Sequence, residues 1–243
     1  MHSPWFGEFL GTMVLVLLGT GVNAGVTLRK SYAVDAGWIV IATGWALAVL
    51  CGVIVAQGFG SHDAALNPAI TLASAVLSGN YANVLWIWSA QMLGALCGAS
   101  LMALHYAPHW RPTPDPAAKL GVFCTGPAVR SPLANFFSEA LATGILVLVA
   151  GAIFSPGVAE RGPVAGLGPI LVGSLIWGIG LSLGGTTGYA INPARDLGPR
   201  LVHFLAPIPG KGGSNWRYAP IPILGPLVGA AVAGLFLRVS HPW

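Results

Sequence analysis

The chain has 243 residues, of which 55% are hydrophobic and only 7% charged, with a mean hydropathy of +0.74 and a formal net charge of +4. Soluble domains carry about 25% charged residues, so the composition excludes a soluble domain and predicts an integral membrane protein. The basic residues form no run and do not alternate with aromatic residues, which argues against a nucleic-acid partner.

Six apolar runs are long enough to cross a membrane, since a spanning helix needs about 20 mostly apolar residues. They cover roughly 5–26, 38–59, 83–106, 134–154, 168–187 and 218–239. The first run is too long for a signal peptide and lacks a basic leader, so we expect an integral helix. Two more apolar stretches, 67–77 and 192–204, reach only about half of a ~30 Å hydrocarbon core.

The proline-rich segment 107–133 separates the third and fourth runs and predicts a solvent-exposed connector. It divides a single domain, 1–243, into two similar halves, 1–106 and 134–243. Glu8 of the first half corresponds to Glu139 of the second, and Trp45 to Trp177. Because each half has an odd number of spans, the second half must insert in the opposite orientation. The sequence therefore predicts an inverted repeat with a site at the membrane midplane.

Each short stretch opens with the tripeptide Asn-Pro-Ala, as Asn67-Pro68-Ala69 and as Asn192-Pro193-Ala194. Asparagine caps a helix N-terminus, proline suits the first helical position, and alanine lets two helix ends approach closely. One copy is an ordinary helix start, whereas two copies in inverted halves predict half-helices that meet inside the membrane. Their positive helix ends would disfavour cations, and the asparagine amide groups would remain free to donate to a passing neutral solute.

These motifs resemble those of the aquaporin superfamily, the major intrinsic proteins, and the resemblance covers essentially the whole chain. The segment closest to the glycerol-facilitator branch reads Gly188-Tyr189-Ala190-Ile191-Asn192-Pro193-Ala194-Arg195-Asp196-Leu197-Gly198-Pro199. Aspartate after the arginine marks that branch. Water-selective members also carry a histidine in the fifth span, which is missing from 176–180 here. The resemblance implies an all-α membrane protein with six transmembrane helices, two re-entrant half-helices and a homotetrameric assembly.

By alignment to those motifs, the selectivity filter is expected to consist of Trp45, Gly180, Tyr189 and Arg195. Arg195 would present several N–H donors to solute hydroxyls or a carboxyl group while repelling cations. A salt bridge with Asp196 is the alternative for Arg195. Trp45 and Tyr189 would form an apolar corner, and Gly180 would leave room for the solute.

In the family, acids that match Glu8 and Glu139 brace the half-helix loops, so the resemblance implies structural support for both, with a proton site in the lumen as the alternative. Asp196 is assigned to structural support as well. His62 and Asp63 lie in a loop longer than is usual in the family. They form either a candidate pH-sensitive gate or a solvated loop pair.

Two departures from the family pattern bear on the solute. Tyr189 stands where phenylalanine is common in the glycerol-facilitator branch, and some members with tyrosine there pass lactic acid. The family also places both termini in the cytoplasm, which contradicts the positive-inside expectation. Seven basic residues would then lie in external loops, namely Arg29, Lys30, Arg111, Lys119, Arg130, Lys211 and Arg217. Such an outer face would concentrate small organic anions.

The resulting expectation is a passive channel in the cell membrane for small neutral solutes, glycerol-type polyols plus water, that excludes ions and protons. A lactic acid facilitator, a water-selective channel and a non-conducting scaffold with a closed pore are the alternatives. The sequence contains no catalytic triad, phosphate-binding loop or suitably paired acids, so no enzyme is expected. We expect no cofactor and no metal, and the three cysteines predict packing residues.

Overall fold

The computed structural model describes residues 2–158 and 160–240, and all regular secondary structure in these ranges is helical. The α-helices are α1 Pro4–Thr27, α2 Trp38–Gly58, α3 Pro68–Ser78, α4 Val84–His105, α5 Pro116–Phe123, α6 Pro132–Ile153, α7 Leu167–Ser182, α8 Pro193–Leu205 and α9 Pro220–Ser240. A 3₁₀ turn, Ala107–His109, follows α4. Six of the nine helices begin with proline, which presets φ and lacks the N–H that would have no helical partner.

The structure has a helix at each of the six predicted spans and at both half-helices, and it shortens one of the predicted spans. Among the described residues, five helices of 21 to 24 residues are long and apolar enough to cross a membrane: α1, α2, α4, α6 and α9. The sixth, α7, has 16 residues and ends at Ser182, although the sequence predicted a span to 187. Gly184 and Gly185 follow, and glycine is a poor helix former.

The two halves have the same internal arrangement and interlock through the half-helices. In the first half, α1 packs against α2 and α4, and in the second half α6 packs against α7 and α9. The half-helix α3 packs mainly against α9, whereas α8 packs mainly against α4. Each half-helix is therefore held by the last long helix of the opposite half.

Glycine allows the long helices within each half to touch backbone to backbone. A Cβ atom added to Gly98 of α4 would lie 2.3 Å from the Met13 carbonyl oxygen of α1. One added to Gly229 of α9 would lie 2.0 Å from the Ala140 carbonyl oxygen of α6. Small residues at these positions provide close packing between helices in lipid, where the hydrophobic effect contributes little to helix association.

Two sequence interpretations are corrected by burial. The connector 107–133 is not simply solvent-exposed, because it contains α5, and Phe123 at the end of that helix is fully buried against Trp110. Trp177 does not correspond to Trp45, since their exposed fractions are 42% and 3%. Trp177 points away from the protein interior because the neighbouring Ile176 takes the cavity-facing position on α7.

Candidate functional site

A cavity of about 680 Å³ lies between the two halves and is lined by the asparagines of both Asn-Pro-Ala segments, Asn67 and Asn192. At one end it is bounded by Trp45, Tyr189 and Arg195, and at the other it opens beside His62 and Asp63. Between these ends most of its wall consists of apolar side chains from α2, α3, α6 and α7. A mostly apolar wall with a few convergent polar groups is typical of a site for a small polar molecule.

The asparagines cap the half-helices as the sequence predicts. Asn67 Oδ1 accepts from the Ala69 N–H at 2.9 Å. Asn192 Oδ1 accepts from the N–H groups of Ala194 at 3.0 Å and Arg195 at 3.1 Å. These bonds satisfy helix donors that would otherwise lack a partner inside the membrane.

The amide groups of the two asparagines are not entirely free for a solute, contrary to what the sequence led us to expect. Each Nδ2 donates one hydrogen bond to a carbonyl oxygen of the opposite half. Asn67 Nδ2 donates to the Ile191 carbonyl oxygen at 2.8 Å, and Asn192 Nδ2 donates to the Leu66 carbonyl oxygen at 2.8 Å. A carboxamide has two N–H donors, so one per asparagine remains for a solute instead of two. The reciprocal bonds join the two half-helix ends at the centre of the cavity.

Glu8 is buried behind the first half-helix loop and accepts four hydrogen bonds. Its Oε1 accepts from Ser61 Oγ at 2.7 Å and the Ala65 N–H at 2.8 Å. Its Oε2 accepts from the Leu66 N–H and from Gln91 Nε2, both at 2.8 Å. Both oxygens are therefore fully engaged with protein donors, which supports bracing and not a proton site in the lumen.

Glu139 occupies the matching place behind the second loop. It accepts from the N–H groups of Ala190 at 3.0 Å and Ile191 at 2.9 Å, one on each oxygen. In the two loops, non-glycine residues adopt positive φ angles, 51° at Leu66 and 44° at Ile191. Such backbone is disfavoured unless the surroundings hold it, and the carboxylates supply that restraint.

Three of the four predicted filter residues, Trp45, Tyr189 and Arg195, line the cavity, and Gly180 lies behind the ring of Tyr189. The Arg195 guanidinium carbon lies 3.7 Å from the centroid of the Trp45 ring, a cation–π arrangement. Arg195 Nη1 and Tyr189 Oη are buried and have no hydrogen-bond partner among the described residues. A buried donor and a buried hydroxyl without partners, both on residues that line the cavity, are suited to bind a polar molecule there.

Gly180 creates space for a neighbouring ring and not directly for the solute. A Cβ atom at position 180 would lie 2.8 Å from both Cζ and Oη of Tyr189, so the tyrosine ring fills that space. Trp38, which the sequence analysis missed, packs edge-on against Tyr189 at 5.8 Å and donates to the Gly180 carbonyl oxygen at 2.9 Å. Its position at the first residue of α2 gave no indication of this contact.

Asp196 is not paired with Arg195, so that alternative is wrong. Its Oδ1 accepts from Arg200 Nε at 2.9 Å and Nη2 at 2.7 Å, and both side chains are fully buried. Its Oδ2 accepts from the N–H of Thr125 at 2.8 Å and its hydroxyl at 2.7 Å. Asp196 therefore does not neutralise the charge of Arg195, which remains at the wall of the cavity. Asp196 instead holds the end of the connector through Thr125.

Arg200 extends this anchor to the loop between α8 and α9. Its Nη1 donates to the carbonyl oxygens of Ser214 at 2.8 Å and Asn215 at 3.2 Å, and its Nη2 to that of Thr125 at 3.1 Å. Arg200 is not among the residues predicted from the sequence. Its spacing of four residues from Asp196 on a short helix was the available signal.

His62 and Asp63 are exposed at the rim of the cavity. Neither side chain hydrogen-bonds to another residue in the described part of the chain, although the His62 carbonyl oxygen accepts from Gln57 Nε2 at 3.5 Å. This arrangement fits a solvated loop pair.

The seven basic residues assigned to external loops do not all contribute to an open charged surface. Lys119 is buried and donates to the Pro209 carbonyl oxygen. Lys211 Nζ donates to the carbonyl oxygens of Phe204 at 2.7 Å and Ala206 at 2.6 Å, where α8 ends. The other five side chains are exposed, which leaves a smaller basic face: Arg29, Lys30, Arg111, Arg130 and Arg217.

Comparisons with known proteins agree with this architecture. Residues 3–237 match the family model of the major intrinsic proteins. The chain is 50% identical over 240 residues to the glycerol uptake facilitator protein of Bacillus subtilis, an alignment covering 98% of this chain and 85% of that protein. It is 37% identical to a D/L-lactic acid transporter of Lactiplantibacillus plantarum, with 98% of each chain covered. The crystal structure of the aquaglyceroporin from Plasmodium falciparum superposes with a TM-score of 0.83 at 29% identity, covering 98% of this chain and 96% of that one. The chain belongs to the major intrinsic protein family.

Proposed function

We propose that the chain is a passive membrane channel for small neutral polar solutes, with glycerol-type polyols and water as permeants. The end of the cavity at Arg195 carries this proposal: the rings of Trp45 and Tyr189 supply apolar surface, and the unpartnered Nη1 of Arg195 lies beside it. A polyol has one carbon-lined side and one hydroxyl-lined side, and this arrangement matches both. The glycerol uptake facilitator of Bacillus subtilis supports the same permeant.

In this mechanism a solute moves in single file down its gradient. At the filter, formed by Trp45, Gly180, Tyr189 and Arg195, solute hydroxyls accept from Arg195 Nη1 and bond with Tyr189 Oη. At the centre they accept the remaining N–H of Asn67 and of Asn192. The guanidinium charge and the N-termini of two half-helices repel cations throughout this path.

The chain acts as one channel domain, 1–243, with halves 1–106 and 134–243 and the connector 107–133. The interlocked half-helices support a single domain made of two halves, because neither half closes the cavity alone. We place it in the cell membrane with both termini cytoplasmic, as a homotetramer with one pore per subunit. Diffusion through such a pore includes no bond-making step, so the protein is a channel and not an enzyme.

Stopped-flow light scattering on vesicles containing the purified protein tests this function. We expect glycerol and water fluxes well above those of empty vesicles and unchanged between pH 5 and pH 7, because glycerol has no charge to titrate. Glycerol flux no faster than in empty vesicles, with rapid water flux, would establish a water-selective channel instead. No flux of any solute would indicate a closed scaffold.

Lactic acid is the second candidate, favoured by the buried hydroxyl of Tyr189 beside Arg195 and by the lactic acid transporter among the relatives. Only the neutral acid suits a pore whose centre excludes ions. The same vesicles would then show lactate uptake that rises steeply as the pH falls toward the pKa of the acid. Fast lactate uptake at pH 5 with slow glycerol flux would make the hydroxy acid the principal permeant.

Replacing Gly180 by alanine is expected to lower glycerol flux by roughly tenfold, since overpacking costs about 1–3 kcal/mol. The new methyl group would meet the Tyr189 ring at 2.8 Å and push it toward the pore. Gly178→Ala is the matched control on the same helix, because a Cβ there has nothing within 4 Å. Equal glycerol flux in both variants would contradict a constriction at this place.

A further inference from the structure

One polar side chain of α1, Asn23, is bonded to a residue of the proposed filter. Asn23 Oδ1 accepts from the indole Nε1–H of Trp45 at 3.0 Å, and both side chains are buried. Asn23 is an isolated amide in an apolar helix, and the sequence analysis gave it no role. A buried amide in a membrane helix needs partners, so its bonds indicate what it does.

The orientation of this amide is fixed from both sides. Asn23 Nδ2 donates to the carbonyl oxygens of Val122 at 3.3 Å and Gly121 at 3.4 Å, in the last turn of α5. A flipped amide would place its NH₂ group against the indole N–H and its oxygen against two carbonyl oxygens. The observed orientation is therefore the one in which every donor faces an acceptor.

The same face of α1 also shapes the place where the indole sits. Gly19 lies one helical turn before Asn23, and a Cβ at position 19 would be 2.3 Å from Cζ3 of Trp45. Gly19 thus makes room for the six-membered ring while Asn23 holds the N–H end. Arg195 stacks against the ring as well, 3.7 Å from its centroid.

We infer that Asn23 is a positioning residue of the constriction, which fixes the indole of Trp45 and withholds its N–H from the solute. This inference rests on the proposed channel function. With the indole N–H occupied, the polar groups offered to a solute are Arg195 Nη1 and Tyr189 Oη, and the Trp45 side stays apolar. Without Asn23 the N–H would be a buried donor without a partner, and the ring would turn to find one.

Asn23→Leu, which keeps the volume and removes both hydrogen-bonding groups, tests the inference. We expect the ratio of glycerol to water permeability to fall by about threefold or more, or roughly 0.7 kcal/mol of differential barrier. The ratio should fall because the polyol needs the apolar wall and water does not. An unchanged ratio in channels that still conduct would overturn the inference.

Asn135→Leu is the matched control. Asn135 is also a buried asparagine with two backbone partners, the Ser131 N–H at 3.0 Å and the Val129 carbonyl oxygen at 3.1 Å, at the start of α6. Its removal is expected to lower thermal stability and leave the permeability ratio within about 1.5-fold of the wild type, since no filter residue is bonded to it. An equal fall in the ratio in this variant would mean that Asn23→Leu acts through general destabilisation.

A double-mutant cycle with Trp45→Phe separates positioning from a structural role. Phenylalanine has no N–H, so adding Asn23→Leu to Trp45→Phe should change the ratio by less than about 1.5-fold. An undiminished effect in that background would assign Asn23 to support of α5 alone and overturn the inference. Wild-type vesicles without glycerol flux would instead overturn the proposed glycerol permeation, and this role with it.

Asn23→Asp carries the test if the leucine variant does not assemble. Aspartate has nearly the same volume, and in this desolvated site its neutral carboxyl group keeps an acceptor oxygen for the indole N–H and an O–H that can donate to a carbonyl oxygen of α5. We expect its permeability ratio to stay within about twofold of the wild type, because the orientation of the indole depends on the acceptor. A threefold fall in this variant would overturn the inference.

Discussion

Replacing Glu8 by glutamine is expected to lower the thermal unfolding midpoint by roughly 10 °C or more and to abolish most glycerol flux. Each carboxylate oxygen accepts two hydrogen bonds, so the NH₂ group of glutamine would face two donors wherever it is placed. Two buried donors without acceptors cost about 1–3 kcal/mol each. Unfolding followed by size-exclusion chromatography of heated, detergent-solubilised protein measures the midpoint.

Glu139, the carboxylate behind the second half-helix loop, provides an internal comparison for the prediction at Glu8. Glu139 accepts one backbone N–H on each oxygen, so Glu139→Gln strands one donor and should have about half the effect. Glu160→Gln, at an exposed loop position, should match the wild type. A midpoint for Glu8→Gln at or above that for Glu139→Gln would show that the number of accepted bonds does not determine the loss.

Replacing Asp196 by asparagine is expected to destabilise the protein by about 3–5 kcal/mol, because the fully buried guanidinium of Arg200 loses its ion-pair partner. The loop carbonyl oxygens at Ser214 and Asn215 and the connector at Thr125 are held by the same two residues. Loosening them should reduce glycerol flux per channel as well. Thermal midpoints and stopped-flow flux on the same preparation measure both effects.

A double-mutant cycle with Arg200→Met tests whether the unpaired charge of Arg200 causes the loss of stability in Asp196→Asn. If an uncompensated charge dominates, Asp196→Asn/Arg200→Met should be more stable than Asp196→Asn alone, since the double variant leaves no buried charge at positions 196 and 200. Arg161→Gln removes an exposed charge and should leave the midpoint unchanged. A double variant as unstable as the sum of the single ones would attribute the loss to separate contacts.

The fold could be predicted from the sequence in most of its elements because the governing interactions are local or averaged over a whole helix. Apolar length compared with bilayer thickness located the six spans, and Asn67 with Pro68 specified a helix start within three residues of chain. The predicted end of α7 was wrong for a local reason as well. Glycines 184 and 185 continue the apolar run that defined the span, but they do not favour a helix.

The site could be predicted only in part. The resemblance to the family gave the four filter residues and the bracing carboxylates Glu8 and Glu139, but it did not indicate the roles of Asn23, Trp38 and Arg200. Asn23 and Trp38 act through bonds to residues 22 and 142 positions away, and nothing in their immediate sequence indicates these partners. For Arg200 the only local signal was its spacing of four residues from Asp196. Gly180 was expected to open the pore, whereas the ring of Tyr189 occupies the space that it leaves.

The sequence by itself determined the membrane environment, the helix order and the capped half-helices, since transfer of apolar residues into lipid and capping of a helix end depend on residues close together in the chain. Only the tertiary structure decided that each Asn-Pro-Ala amide bonds to the opposite loop, 124 and 126 residues away. It also decided that Asp196 pairs with Arg200 and leaves Arg195 to the cavity. Buried polar groups must find partners, and which partners are within reach is set by how distant helices pack.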